Sequence, residues 1–162
     1  MRHALGSILG AVPLALAASL AIAQVAPPAG SAHLFDLGAD GVQIYACQAR
    51  EGRPVWVFQA PEAALFEGNG RQLGTHGAGP HWVLADGSRV TGVVAGSAPA
   101  PVAGAIPWLL LRATPDQTPG QLRGVGFIRR FDTVGGAPPP GACTSGEVAR
   151  MRYAAIYGFY AP

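Results

Sequence analysis

The sequence predicts an all-β domain: a single antiparallel β-sandwich, or a closed or partly open β-barrel, of about seven or eight strands with little helix. Three observations lead there. Short apolar stretches rich in Val, Ile, Tyr, Phe and Trp recur along the chain, several of them with period-two alternation. They are punctuated by 23 glycines and 15 prolines, which break helices and make turns. Asp86-Gly87 joins HWVLA to SRVTGVV, the strongest short-range hairpin signal in the chain.

In chain order, VQIYAC (42–47) alternates Val42, Ile44 and Ala46 with Gln43, Tyr45 and Cys47, as a half-buried strand does. PVWVFQA (54–60) is β-branched and aromatic on both faces, which predicts a central strand or one covered by another sheet. PEAALFE (61–67) is the one stretch suited to a helical turn. After the 81–94 hairpin, a loop containing Pro99, Pro101 and Gly104 leads to IPWLLLRAT (106–114), an apolar run too short for a useful helix. GVGFIRRFDT (124–133) places Val125, Phe127, Arg129 and Phe131 on one face and Ile128, Arg130 and Asp132 on the other. Beyond the breaker GGAPPPGAC (135–143), MRYAAIYGFY (151–160) puts Met151, Tyr153, Ala155, Tyr157 and Phe159 on one face. No repeat with a fixed period is present.

Residues 1–23 combine a basic start at Arg2 with an apolar run and end in Ala21-Ile22-Ala23, the pattern of a secretory signal peptide cleaved near Ala23/Gln24. The run is interrupted by Pro13 and is too short and alanine-rich for a membrane span, so no transmembrane segment is expected. Residues 24–37 read as a proline-rich flexible lead-in and 38–162 as a single all-β domain. Export to the periplasm or the medium follows as an expectation. Without Arg2, ten arginines face nine acids, a balance that argues against nucleic acid as a partner. Cys47 and Cys143 would both enter an oxidising compartment, where a disulfide is the economical reading and two free buried thiols the alternative.

Chemistry-bearing motifs are few. GAGPHW (77–82) has two glycines of a dinucleotide fingerprint, but Trp82 stands where the third belongs and no helix follows, so no cofactor is expected. In GTHGAGPHW (74–82) the glycines and Pro80 predict a bulged or turning connection that can direct His76 inward. A metal on His76 and His81 would lack a third ligand, because His33 lies in the lead-in and the carboxylates are distant, so no metal site is assigned. For acid–base catalysis His76 would need a carboxylate nearby; Asp86, Asp132 and Glu62 are the candidates. Trp56, Trp82 and Trp108 serve a core or an aromatic ligand pocket. Arg129, among apolar neighbours, is either an edge residue or a buried charge needing a partner. The candidate ligand-binding set is therefore Trp82, Trp108, His76 and Arg129.

GVQIYAC (41–47), VWVFQAPEAALF (55–66), GTHGAGPHW, DGSRVTG (86–92), IPWLLLRA (106–113), FIRRFDTVGG (127–136) and YAAIYGFY (153–160) together resemble an exported family of bacteria and fungi, domain of unknown function 3455. The resemblance covers nearly all of residues 38–160. His76, Gly79, Pro80 and Trp82 match its motif, while His81 stands where a small hydroxyl residue is commoner, which weakens His81 as a shared ligand. Cys47 and Cys143 fall at positions similar to the family's cysteines, in keeping with a disulfide. No activity is implied by the resemblance.

Three functions remain open on these grounds. The leading one is a non-enzymatic exported module binding a small molecule or a cell-surface component. The second is a small hydrolase or isomerase using His76 with Asp86 or Asp132. The third is a structural envelope or matrix protein acting through its surface.

Overall fold

A computed structural model describes residues 23–162; the predicted signal peptide, apart from Ala23, lies outside the described residues. Eight strands follow one another in the chain: β1 (Ala32–Arg50), β2 (Arg53–Phe66), β3 (Gln72–Gly77), β4 (His81–Leu84), β5 (Arg89–Ala98), β6 (Trp108–Pro115), β7 (Phe127–Gly135) and β8 (Val148–Ala161). Each pairs antiparallel with its sequence neighbours, and β8 returns to pair with β1 from Ala32↔Ala161 to Ala46↔Val148. The sheet is thus an up-and-down closed barrel, and of the sandwich and barrel alternatives the barrel is the one formed.

Closure places alternate side chains inside. The interior is built by Leu37 and Ala39 of β1, Ala63 and Leu65 of β2, Trp82 and Leu84 of β4, Val90 of β5, Leu111 of β6, Ile128 of β7, and Tyr153, Ala155, Tyr157 and Phe159 of β8. The β8 face is the one its alternation predicts. In β1 the inward face is the more polar one: Gln43, Tyr45 and Cys47 are buried, and Val42, Ile44 and Ala46 face outward.

The hairpin between β4 and β5 turns at Asp86-Gly87, where Gly87 takes φ +84° and donates its N–H to Leu84 O at 3.0 Å. PEAALFE (61–67), which reads as a helical turn, instead forms the last part of β2 as far as Phe66. Its residues are helix formers, yet Ala63 and Leu65 gain burial in the barrel and Ala63, Ala64 and Leu65 pair with both β1 and β3. Tertiary pairing overrides local propensity here. Pro61, lacking an N–H, sits beside the register shift at Ile44/Tyr45. PVWVFQA was expected to be central or covered. It pairs with β1 alone over Val55–Phe58, and Val55 and Phe58 are exposed.

The lead-in predicted for 24–37 is shorter. β1 begins at Ala32, and Val25 is fully buried against Ala98 and Leu110, with Trp108 and Phe127 alongside. This patch lies on the outer wall of β5–β7, so the segment before β1 straps over the barrel. The 116–126 connection closes the end reached by the β4–β5 turn, inserting Leu122 and Val125 into the interior. At the other end, a 2.01 Å disulfide joins Cys47 of β1 to Cys143 of the loop before β8, 96 residues apart. Among the described residues no helix is long and apolar enough to cross a membrane.

Candidate functional site

GTHGAGPHW forms the β3–β4 hairpin, pairing His76 with Trp82 and Gly77 with His81. Gly79 at φ +95° makes the reversal, a geometry closed to most other residues. Pro80 O accepts the Gly92 N–H at 3.0 Å and holds the turn against β5. His76 points into the barrel and is 4% exposed. Its Nδ1 lies 2.9 Å from His81 O, so Nδ1 carries the proton and donates to that carbonyl. The ring stacks on Trp82, with centroids 4.4 Å apart and planes at 13°, and meets the Tyr157 ring edge-on at 5.0 Å. Burial pushes the His76 pKa down to about 4, so the imidazole is neutral at pH 7.

Of the three carboxylates considered for His76, none hydrogen-bonds to it. Asp86 is at the far end of β4, where Oδ1 accepts from Ser88 Oγ at 2.6 Å and Oδ2 accepts from Gln121 N at 2.8 Å. These bonds, the Ser88 hydroxyl first, hold its carboxyl below the ordinary carboxylate range and anchor the 116–126 loop. Asp132 is exposed at φ +48°, within the β7 register shift between Phe131 and Val134. Glu62 pairs with Arg150 at 2.8 Å on the outer wall. No set of three His, Cys, Asp or Glu side chains able to hold a metal occurs among the described residues. His81 turns outward, with Nδ1 2.6 Å from Ala78 O.

A partly enclosed apolar pocket lies against Trp82, away from His76. About 170 Å³ in volume, it opens at the barrel mouth between the β3–β4 turn and the strands β2 and β5–β8. Trp82, Leu109, Leu111 and Tyr157 form its floor and walls, Pro61 and Pro80 its sides, and Phe58 and Val94 an exposed apolar rim. Arg130 is the one charged residue among those lining it. Larger depressions exist; one of about 530 Å³ is bordered by Asp40, Glu62, Thr75, His76, His81 and Arg150. That one is a shallow trough on the outer wall, crossed by the Arg150–Glu62 ion pair, and encloses little.

Arg130 enters the barrel because it shares the inward face with Ile128 and pairs with Leu109 and Tyr157. Its Nε and Nη2 both donate to Pro107 O, at 3.1 and 2.8 Å, which fixes the guanidinium plane. It stands beside the Tyr157 hydroxyl, whose pKa is raised by burial and partly restored by the guanidinium. Tyr153 continues the polar line: its hydroxyl is 3.5 Å from that of Tyr157, and burial raises its pKa strongly. Gln43 completes the line beside Tyr153, with no protein acceptor for its Nε2. Trp82 Nε1 likewise has no acceptor in the chain.

The predicted ligand set therefore divides. Trp82 lines the pocket and His76 backs it, but Trp108 and Arg129 are on the outer wall. There the Arg129 guanidinium lies 4.7 Å from the Phe131 ring centroid and 5.5 Å from that of Trp108. Arg129 was singled out because its neighbours Phe127 and Phe131 are apolar. They are apolar on the outside, where Val25 packs beside Phe127 and the Arg129 side chain covers Phe131. The arginine that lines the pocket is Arg130, on the face it shares with the fully buried Ile128; alternation separated the two faces of β7 in the sequence but did not say which one is inside.

No significant match to a curated protein is found. The model of a family described as proteins of unknown function, DUF3455, matches residues 28–161, from the strap before β1 to the end of β8. On a match of that extent, spanning all eight strands, the chain belongs to the DUF3455 family.

Proposed function

We propose that this chain is an exported binding module whose barrel-mouth pocket receives a small molecule with a largely apolar body. The observation that carries the reading is the pocket itself: a partly enclosed space of about 170 Å³ between Trp82, Leu109, Leu111 and Tyr157, with an exposed apolar rim at Phe58 and Val94. A closed barrel leaves such a space at its end when side chains do not fill it. An apolar cavity of about 150 Å³ is enough to admit benzene, so the fitting ligand has a body the size of one ring or a short chain. Export is supported by the leader-like residues 1–23 and by the Cys47–Cys143 disulfide, which suits an oxidising compartment. His76 supports the pocket by stacking on Trp82 from behind; a backbone-bonded neutral imidazole with no carboxylate partner has the geometry of a buttress.

The test is methyl-detected NMR on the intact barrel with benzyl alcohol as a neutral ring-sized probe. Shifts are expected at Val94, Leu109 and Leu111 and should disappear in Val94→Trp, which fills the rim from an already exposed position. Unchanged methyl signals at millimolar probe would overturn the reading.

A further inference from the structure

We propose that the pocket selects an organic anion, specifically a small monocarboxylate of about one ring's size, with Arg130 and the Tyr157 hydroxyl as the anchor for its carboxylate. The inference rests on the pocket reading above and adds the charge and the recognising atoms.

Several observations converge on it. Arg130 is the one charged residue lining the pocket, and no ion pair found among the described residues includes it. It is half-buried at the mouth beside Trp82, Leu109, Leu111 and Tyr157, where apolar walls leave less water between the guanidinium and a bound anion than an open surface would. The two bonds to Pro107 O use the Nε hydrogen and one of the Nη2 hydrogens. Three of the five N–H groups are left for other acceptors, on a plane whose orientation is already set. A preset planar fork matches a carboxylate better than it matches a spherical ion.

The hydroxyl of Tyr157 beside the guanidinium supplies a further donor to the same acceptor. The positive field of Arg130 reaches Tyr45, His76, Tyr153 and Tyr157, with no carboxylate among them to cancel it. The volume sets the remaining limit: about 170 Å³ excludes long acyl chains and multi-ring acids, and leaves room for a single ring or a short chain.

The experiment compares benzoate, benzyl alcohol and benzylamine by calorimetry and ligand-observed NMR on the disulfide-bonded protein at pH 7. Benzoate should bind at least tenfold more tightly than benzyl alcohol, benzylamine more weakly than either, and the benzoate preference should shrink as salt rises. In Arg130→Met, benzoate affinity should fall to that of benzyl alcohol. In Arg130→Lys, which keeps the charge and loses the fork, it should fall to an intermediate value. If benzoate and benzyl alcohol bind the wild type equally, the anion inference is overturned while the pocket reading stands. If neither binds, both fall. The wild-type ratio decides the matter even if the Arg130 variants do not fold.

Discussion

Acid should destabilise this barrel through His76. The ring is buried, stacked on Trp82 and held neutral, with its pKa lowered to about 4 from the ordinary 6.5. In the unfolded chain the ring takes up a proton near pH 6.5, while in the fold it resists until about pH 4, so between those values the unfolded state binds more protons. Stability therefore falls as pH drops through this window, is full above it, and levels off below it. The whole window, at 1.36 kcal/mol per pH unit, is worth about 3 kcal/mol, and the part between pH 7 and pH 5 about 2 kcal/mol. The assay is urea unfolding at pH 7 and pH 5 for the wild type and His76→Phe. Phe keeps a ring against Trp82 but orphans the His81 carbonyl, which should cost about 1–3 kcal/mol at pH 7. The variant should then lose about 2 kcal/mol less than the wild type on going to pH 5. Identical pH dependence in the two proteins would refute the argument, as would an NMR titration placing the His76 midpoint near 6.5.

Two further outcomes follow from the frame of the barrel. Reducing the Cys47–Cys143 bond, which closes a 96-residue separation, should lower stability by up to about 4–5 kcal/mol in the chain-entropy treatment; a melting temperature insensitive to reductant would contradict it. Val25→Ala, which removes two methyl groups from the one fully buried side chain of the strap, should cost about 1–2 kcal/mol and speed amide exchange in the strap while leaving the β1–β8 ladder protected. An unchanged melting curve would mean that the strap does not contribute to folding.

How much of the site could be read from the residues depends on which feature is considered. The β3–β4 turn was legible, because Gly79 and Pro80 allow few alternatives, whereas the placing of Trp82 opposite His76 is set by the register of the hairpin. The opposite face of the same tryptophan, where the pocket is, depends on Val94, Leu109, Arg130 and Tyr157. Those four belong to four different strands, and no spacing along the chain brings them together. Asp86 and Asp132 were reasonable candidates as carboxylates near turns. Asp86 is consumed by the hydrogen bonds that anchor the 116–126 loop, and Asp132 by the irregular geometry of β7.

The residues alone determined that this chain makes strands and roughly where they turn, and they favoured a disulfide over two free thiols, because side-chain alternation, Gly/Pro punctuation and cysteine count are local or compositional properties; the structure decided that Cys47 and Cys143 pair. Period two states that a strand has two faces but does not state which one is inside, and a single bulge exchanges them. Only the closure of β8 onto β1 decided that Gln43 and Tyr45 lie inward and that Arg130 rather than Arg129 enters the barrel. The same closure turned a helix-prone segment into the last part of β2, because antiparallel pairing with β1 and β3 and burial of Ala63 and Leu65 outweigh the small differences in local propensity.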